Sequence, residues 1–151
     1  LADDIWLWGG SLDEIEQTIR VGVRSGHKEA RLSEMPAFGR DEFLTTSQIT
    51  DLVEFVTSVS GREADGAAAA RARPVFEKEC SSCHGVDARG DRSKGAPNLT
   101  DADWLYGGDR ETIRRTIFEP RYGVMPAWSE RLDPAKVRAL AIYVHSLGGG
   151  E

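Results

Sequence analysis

Apolar residues recur at helical spacing in several separate segments of the chain. In the first of them, Leu12, Ile15 and Ile19 lie three and four positions apart, and Ser11 with Glu14 has the spacing of a capping box. This pattern predicts a helix over about residues 12–21. Segments that alternate apolar and polar residues, as a half-buried strand does, are nearly absent. The sequence therefore predicts an all-α protein.

Three further helices follow from the same kind of signal. The second has an apolar face of Ile49, Leu52, Val53 and Val56, with N-cap oxygens at residues 45–47 and Gly61 at its end. The last is predicted to begin at Asp133-Pro134 and to bury a stripe of Val137, Leu140, Ala141, Val144 and Leu147. Between them, Pro74 is predicted to open a helix that runs into Cys80, because proline costs least in a first turn.

The chain contains an internal repeat. LADDIWLWGG at residues 1–10 matches LTDADWLYGG at residues 99–108, and the same offset superposes Ile15 on Ile113. After a longer loop in the first copy, MPAF at residues 35–38 matches MPAW at residues 125–128. The helix that contains Ile49 then matches the helix that contains Val137. We define residues 1–65 as the first copy and residues 66–151 as the second, with the Gly- and Ala-rich residues 61–70 as a linker or frayed helix start.

Cys80-Ser81-Ser82-Cys83-His84 has the Cys-x-x-Cys-His spacing of covalent haem attachment. Two thiols on one helical turn reach the two vinyl groups on one haem edge, and the next side chain presents its imidazole to the iron. A thioredoxin-like cysteine pair would follow a strand in a βαβ pattern, which the sequence does not show. A zinc site would need two more ligands at a paired spacing. The motif therefore predicts a c-type haem on Cys80 and Cys83, with His84 as an iron ligand.

The sixth iron ligand has several candidates: Met125, Met35, His27, His145, a lysine or water. Met125 is predicted, because it follows His84 by 41 residues in a Gly-Val-Met-Pro loop that presents a sulfur outside any helix. Met35 occupies the same place in the first copy, which has no haem motif of its own, so it is not expected to bind metal. The sequence predicts a solvated His27 and a surface or half-buried His145.

Several other residues are candidates to surround the haem. Pro97 offers a carbonyl that would orient the His84 ring and raise its basicity. The haem is expected to lie against Trp104, Tyr106 and Trp128, which otherwise are core aromatic residues. Arg121 is expected to pair with a haem propionate, the alternative being an ordinary surface arginine. Ligation by His and Met leaves no open iron position, which favours electron transfer over oxygen chemistry.

Composition and charge exclude other classes of protein. The chain has a formal net charge of -6, with 6 Lys/Arg against 13 Asp/Glu in residues 1–65 and 13 against 12 in residues 66–151. No basic surface for nucleic acid is expected. No run approaches the roughly 18 apolar residues of a membrane-spanning helix.

The repeat and the haem motif together predict the domain organisation. The second copy includes the Cys-x-x-Cys-His motif, whereas the first copy begins after the place where its own motif would stand. We therefore predict a partial cytochrome c-like domain without a haem attachment motif at residues 1–65, and a complete cytochrome c domain at residues 66–151. Truncation of a longer parent is the expected origin of this arrangement.

Four motifs of the second copy carry a resemblance to a known family. With CSSCHG, GAPNLTDADWLYGG, YGVMPAW and AIYVHSLGGGE in this order, it is similar to the second haem domain of the dihaem subunit, FixP or CcoP, of cbb3-type cytochrome c oxidases. DDIWLWGG, MPAFG and VTSVSG in the first copy resemble the later part of the first haem domain. The resemblance implies a class I cytochrome c-like fold, with Cys80 and Cys83 holding the haem and His84 and Met125 ligating it.

The same resemblance implies a role and a location. The subunit would lie on the periplasmic side of the bacterial inner membrane and pass electrons from a bc1 complex or a soluble cytochrome toward the oxidase core subunits, without a catalytic site of its own. Its membrane anchor and first haem motif have no counterpart here, so one haem is expected for this chain. Two alternatives stay open: a gas- or peroxide-binding haem domain in which methionine is displaced, and the cytochrome subunit of a periplasmic dehydrogenase.

Overall fold

A computed structural model describes residues 3–149 of the chain, so the outermost residues of the two predicted domains, 1, 2, 150 and 151, lie outside the described part. The helices are α1 (Leu12–Val21), α2 (Thr46–Val59), α3 (Gly66–Glu79), α4 (Ser81–His84), α5 (Arg110–Phe118) and α6 (Pro134–Ser146), with a 3₁₀ turn at Arg92–Lys94. Within residues 3–149, β-structure is limited to isolated bridges. The predicted all-α class is confirmed. No helix of this part is long and apolar enough to cross a membrane.

Side-chain caps fix the starts of three helices where the sequence predicted them. Ser11 and Glu14 form a capping box on α1, and Thr45 forms the equivalent box with Gln48 on α2. Asp133 accepts a hydrogen bond from the backbone N–H of Lys136 at the start of α6. Each of these side chains satisfies a backbone N–H that has no partner inside the helix.

The predicted start of the third helix is wrong. The helix begins at Gly66, and Pro74 lies in its interior. Asp65 caps it by accepting from the backbone N–H groups of Ala67 and Ala68. The alanines that follow have the highest helix propensity of any residue, so this capped segment continues through Pro74 despite the cost of about 3 kcal/mol for an interior proline.

The described residues form two compact units. Unit 1 takes in the described residues of Leu1–Ser33, Arg92–Gly95 and Tyr122–Glu151. In it, α1 packs on α6. Its core consists of Ile15, Ile19, Val137 and Ala141, with half-buried neighbours that include Trp6, Met125 and Trp128.

Unit 2 comprises Glu34–Asp91 and Ala96–Arg121. In it, α2 packs on both α3 and α5. The rings of Phe55 on α2 and Phe76 on α3 have centroids 4.6 Å apart, and Phe76 is only 1% exposed. The half-buried hydrophobic residues around this core include Met35, Cys80 and Trp104.

Each unit combines helices from both copies of the repeat. By the sequence match, α1 is the counterpart of α5 and α2 the counterpart of α6, yet α1 packs on α6 and α2 packs on α5. The apolar face of α2 is covered in unit 2, where Leu52 is only 1% exposed. The predicted boundary at residue 65 falls at the N-cap of α3, inside unit 2. The division into domains 1–65 and 66–151 stays a prediction about the repeat, and the units follow different limits.

Candidate haem site

The Cys-x-x-Cys-His motif is continuous with the core of unit 2. The backbone N–H of Cys80 donates to Phe76 O at 2.9 Å, which ties the motif to the buried end of α3. Cys80 then leads into α4, where the backbone N–H groups of Cys83 and His84 both donate to Cys80 O, at 3.1 and 2.9 Å. The short helix therefore holds the two thiols and the imidazole within little more than one turn.

The His84 ring has a partner on one side. Its Nδ1 atom lies 3.0 Å from Pro97 O. A carbonyl oxygen only accepts, so Nδ1 carries the proton and donates, and the Nε2 lone pair is left for a metal. Burial lowers the pKa of His84, and the contact with Pro97 acts in the opposite direction. The lowered pKa favours the neutral imidazole, which is the form that binds iron.

A tight loop brings Pro97 back to the histidine. Gly90 N–H donates to His84 O at 2.7 Å, and Gly90 has a φ of +82°. A Cβ atom at this position would lie 2.4 Å from Ala96 O and 2.7 Å from the carbonyl carbon of Pro97. Glycine is therefore required here both for the left-handed backbone and for the close approach.

Cys80 and Cys83 are not joined by a disulfide, and both side chains are half-buried. Burial raises the pKa of Cys80 to about 11, with smaller contributions from Glu79 and Cys83. Cys80 is thus a neutral thiol near pH 7. Two free thiols on one turn, with a neutral and oriented imidazole next in sequence, form a donor set that fits covalent attachment of haem.

Three of the predicted haem-lining residues lie in the same unit. Trp104 packs against the unit 2 core, and the Arg62 guanidinium lies 4.9 Å from its ring centroid. Arg121 stacks on Tyr106 at 4.1 Å from the ring centroid, while the Tyr106 hydroxyl donates to Arg121 O at 3.2 Å. The Arg121 cation is therefore positioned by a tyrosine of its own unit.

The two methionines belong to different units. Met125 and Trp128 pack in unit 1, where Met125 exchanges two backbone hydrogen bonds with Val23, at 2.9 and 3.0 Å. Met35 is half-buried against the core of unit 2, the unit that contains the haem motif. Sequence reasoning set Met35 aside because its own copy lacks a motif. The similar apolar stripes of α2 and α6 are compatible with either pairing, so the sequence holds no signal that connects Met35 with unit 2.

Comparisons with known proteins give the family. The family model described as "Cytochrome C oxidase, cbb3-type, subunit III" matches residues 67–144. The whole chain is 51% identical to 52% of the cbb3-type cytochrome c oxidase subunit CcoP of Cereibacter sphaeroides. It is also 51% identical to 52% of the subunit FixP of Bradyrhizobium sp. strain ORS 278, and 45% identical to 54% of the subunit CcoP of Azospirillum sp. strain B510. The chain thus spans about half the length of these curated relatives. The family match, the relatives and the Cys-x-x-Cys-His motif agree, and the chain belongs to the family of subunit III of cbb3-type cytochrome c oxidase.

Proposed function

We propose that this chain is an electron-transfer module that holds one covalent haem c at Cys80 and Cys83, with His84 as an iron ligand. When bound, the haem supplies an iron that alternates between the ferric and ferrous states. Membership of a c-type cytochrome family implies covalent haem c, and the chain has only two cysteines, enough for one. The observation that carries the proposal is the single turn from the N-cap Cys80 to His84, which contains both cysteines, together with the 3.0 Å contact between His84 Nδ1 and Pro97 O.

Each residue of the site has a distinct role in this proposal. Cys80 and Cys83 fix the haem edge through two bonds, which prevents loss of the cofactor. His84 binds the iron through Nε2, and Pro97 O orients its ring and increases its basicity. Trp104 and Tyr106 limit access of water, and Arg121 is the candidate partner of a propionate. Trp128, which was predicted for the same role, packs in unit 1.

The sixth ligand in this proposal is a methionine sulfur. Met35 is favoured by its position in unit 2, where it packs against the same core as Cys80 and Trp104. Met125 is favoured by its place in the second copy of the repeat, after the motif. A methionine sulfur that bound the iron together with His84 would raise the reduction potential and would leave no iron position for small molecules.

The names of the relatives support a place in a respiratory complex. CcoP and FixP are subunits of cbb3-type oxidases, so the proposed partners are the core subunits of such an oxidase and a bc1 complex or soluble cytochrome as donor. The corresponding location is the periplasmic side of the bacterial inner membrane. The chain would pass electrons onward and perform no substrate chemistry of its own.

Two measurements test the proposal. Expressed in a cell that matures c-type cytochromes, the chain should show an intact mass increased by one haem, and Cys80→Ser with Cys83→Ser should abolish the increase. The oxidised protein should show the far-red absorption band of a sulfur-to-iron bond. Loss of that band in Met35→Ala but not in Met125→Ala would identify Met35 as the ligand, and the reverse result would identify Met125. A wild-type protein without the band that binds carbon monoxide would support the gas-binding alternative.

A further inference from the structure

The apolar stripes of α2 and α6 are nearly the same. The counterpart pairs are Ile49 and Val137, Leu52 and Leu140, Val53 and Ala141, Phe55 and Tyr143, and Val56 and Val144, so the largest change in size between aliphatic counterparts is Val53 to Ala141. A stripe of this kind would fit either partner, since burial of apolar area has no directional preference. The hydrophobic match therefore gives little reason for α2, rather than α6, to cover α3 and α5.

The flanks of the stripe differ in charge. On α2, the Asp51 carboxylate accepts two hydrogen bonds from Arg71 of α3, at 2.9 and 2.7 Å. Glu54 likewise accepts two from Arg110 of α5, at 2.6 and 3.1 Å. Both carboxylate side chains are only 15% exposed, and bidentate geometry makes such pairs stronger than ordinary surface contacts. The counterparts of Asp51 and Glu54 on α6 are Ala139 and Ile142, which form no ion pair.

Unit 1 shows the complementary arrangement. Arg138 of α6 donates to the carboxylates of Asp13 and Glu16 on α1. The counterpart of Arg138 on α2 is Thr50, an uncharged residue. The helices α1 and α5 also differ in charge. The counterparts of Asp13 and Glu16 of α1 are Glu111 and Arg114 on α5.

We propose that these ion pairs specify how the two copies combine, by directing α2 to α3 and α5 and by directing α6 to α1. In the alternative arrangement, α2 would pack on α1 and α6 would pack on α5, so that each pair belongs to one copy. Ile142 would then face Arg110, and Arg138 would face Arg114. In the other pair, Thr50 would face the two acids of α1. Both sets of ion pairs would be lost at once, so the charges disfavour that arrangement while the apolar stripes tolerate it. The pairing in turn decides which methionine shares a unit with the haem motif.

The first experiment moves the acidic residues from α2 to α6. The variant Asp51→Ala, Glu54→Ile, Ala139→Asp and Ile142→Glu is prepared as the full haem-loaded chain and reduced. Wild-type protein should show nuclear Overhauser effects between the rings of Phe55 and Phe76, whose centroids lie 4.6 Å apart. In the variant we expect these cross-peaks to weaken at least severalfold, and cross-peaks between Phe76 and Tyr143, the counterpart of Phe55, to take their place. This readout concerns helix pairing alone, so it does not depend on the identity of the sixth ligand.

A charge-reversal cycle keeps the proposal testable if the fourfold variant does not fold. Asp51→Arg and Arg71→Asp each place like charges together, and each should lower the melting temperature and weaken the Phe55–Phe76 cross-peaks. The two changes combined should recover most of both losses. The control is Arg20→Glu with Glu29→Arg, because Arg20 and Glu29 form an exposed ion pair within the first copy.

The proposal is overturned by either of two results. One is a fourfold variant that folds and retains the full Phe55–Phe76 cross-peaks. The other is a pair of single reversals at Asp51 and Arg71 that change the melting temperature no more than single reversals at Arg20 and Glu29. In those cases the pairing of the helices would instead follow from differences between their buried residues. An example is Thr57 on α2, which is 1% exposed and whose counterpart on α6 is His145.

Discussion

The Nδ1 atom of His84 and the carbonyl oxygen of Pro97 lie 3.0 Å apart, although 13 positions separate the two residues in sequence. The loop between them turns at Gly90, whose backbone packs directly on the segment that holds Pro97. The orientation of the His84 ring therefore depends on a residue whose side chain is a single hydrogen.

Gly90→Ala is expected to raise the reduction potential of the haem-loaded chain. The new methyl group would lie 2.4 Å from Ala96 O, so the loop must shift, and we expect the His84 contact with Pro97 to lengthen as a result. A less basic imidazole donates less charge to the iron and stabilises the ferric state less. A spectroelectrochemical titration measures the change.

The matched control for this experiment is Gly61→Ala. Gly61 has a similar φ of +76°, but a Cβ atom there would have no other atom within 4 Å. Both variants therefore have the backbone strain, and only Gly90→Ala has the steric clash. Equal potentials for wild type and Gly90→Ala, or an equal shift in both variants, would show that the Pro97 contact does not tune the haem.

Phe76→Ala should strongly destabilise unit 2. Phe76 is 1% exposed, packs on Phe55 and accepts the backbone hydrogen bond of Cys80, so truncation leaves a cavity directly under the haem motif. The free energy of unfolding should fall by about 3–5 kcal/mol, as for other buried phenylalanines. Denaturant titration measures it. Phe43→Ala is the comparison, since Phe43 is 65% exposed and should cost less than about 1 kcal/mol. Similar losses in the two variants would be inconsistent with the described core.

The Glu54–Arg110 pair predicts a specific dependence of stability on pH. The pKa of Glu54 lies below its ordinary value of 4.5, first because of the hydrogen bond with Arg110 and then because of the Asp65 backbone N–H. A pKa that is lower in the folded state stabilises the protein above pH 4.5, and this stabilisation is lost as the pH falls through the folded value. Glu54→Gln should therefore lower the melting temperature at pH 7, and its difference from wild type should shrink below pH 4.5.

Glu77→Gln provides the control for that experiment. Glu77 lies exposed on α3, and its carboxylate makes no salt bridge with any residue between 3 and 149. At pH 7 the melting temperature of the Glu77→Gln variant should differ from that of wild type by less than the melting temperature of the Glu54→Gln variant does. A Glu54→Gln deficit that stays constant down to pH 2 would show that the loss arises from packing and not from the charge.

The sequence predicts the limits of a helix correctly where only local signals determine them. The periodicity and the Ser11 capping box predicted α1 at residues 12–21, which are its observed limits. The sequence prediction of a start at Pro74 is wrong because Asp65 caps α3 and the alanines that follow it favour a helix ahead of the proline. The combination of copies could not be predicted from periodicity, because the apolar stripes of α2 and α6 are similar and contacts such as Glu54 with Arg110 join residues 56 positions apart in sequence. For the same reason, Met35 could not be connected with the unit of His84 before the structure was known.

Gly22 is expected to control the placement of the Met125 loop within unit 1. Gly22 has a φ of +72°, and a Cβ atom there would lie 2.2 Å from Met125 O and 2.8 Å from the carbonyl carbon of Pro126. Gly22→Ala should therefore separate Val23 from Met125, whose two backbone hydrogen bonds join the segments. Gly26→Ala isolates the strain, because Gly26 has a φ of +81° with no atom within 4 Å of a Cβ. Hydrogen exchange of the Met125 and Val23 amides should accelerate at least tenfold more in Gly22→Ala than in Gly26→Ala, and equal rates would mean that the two segments are not held together by this contact.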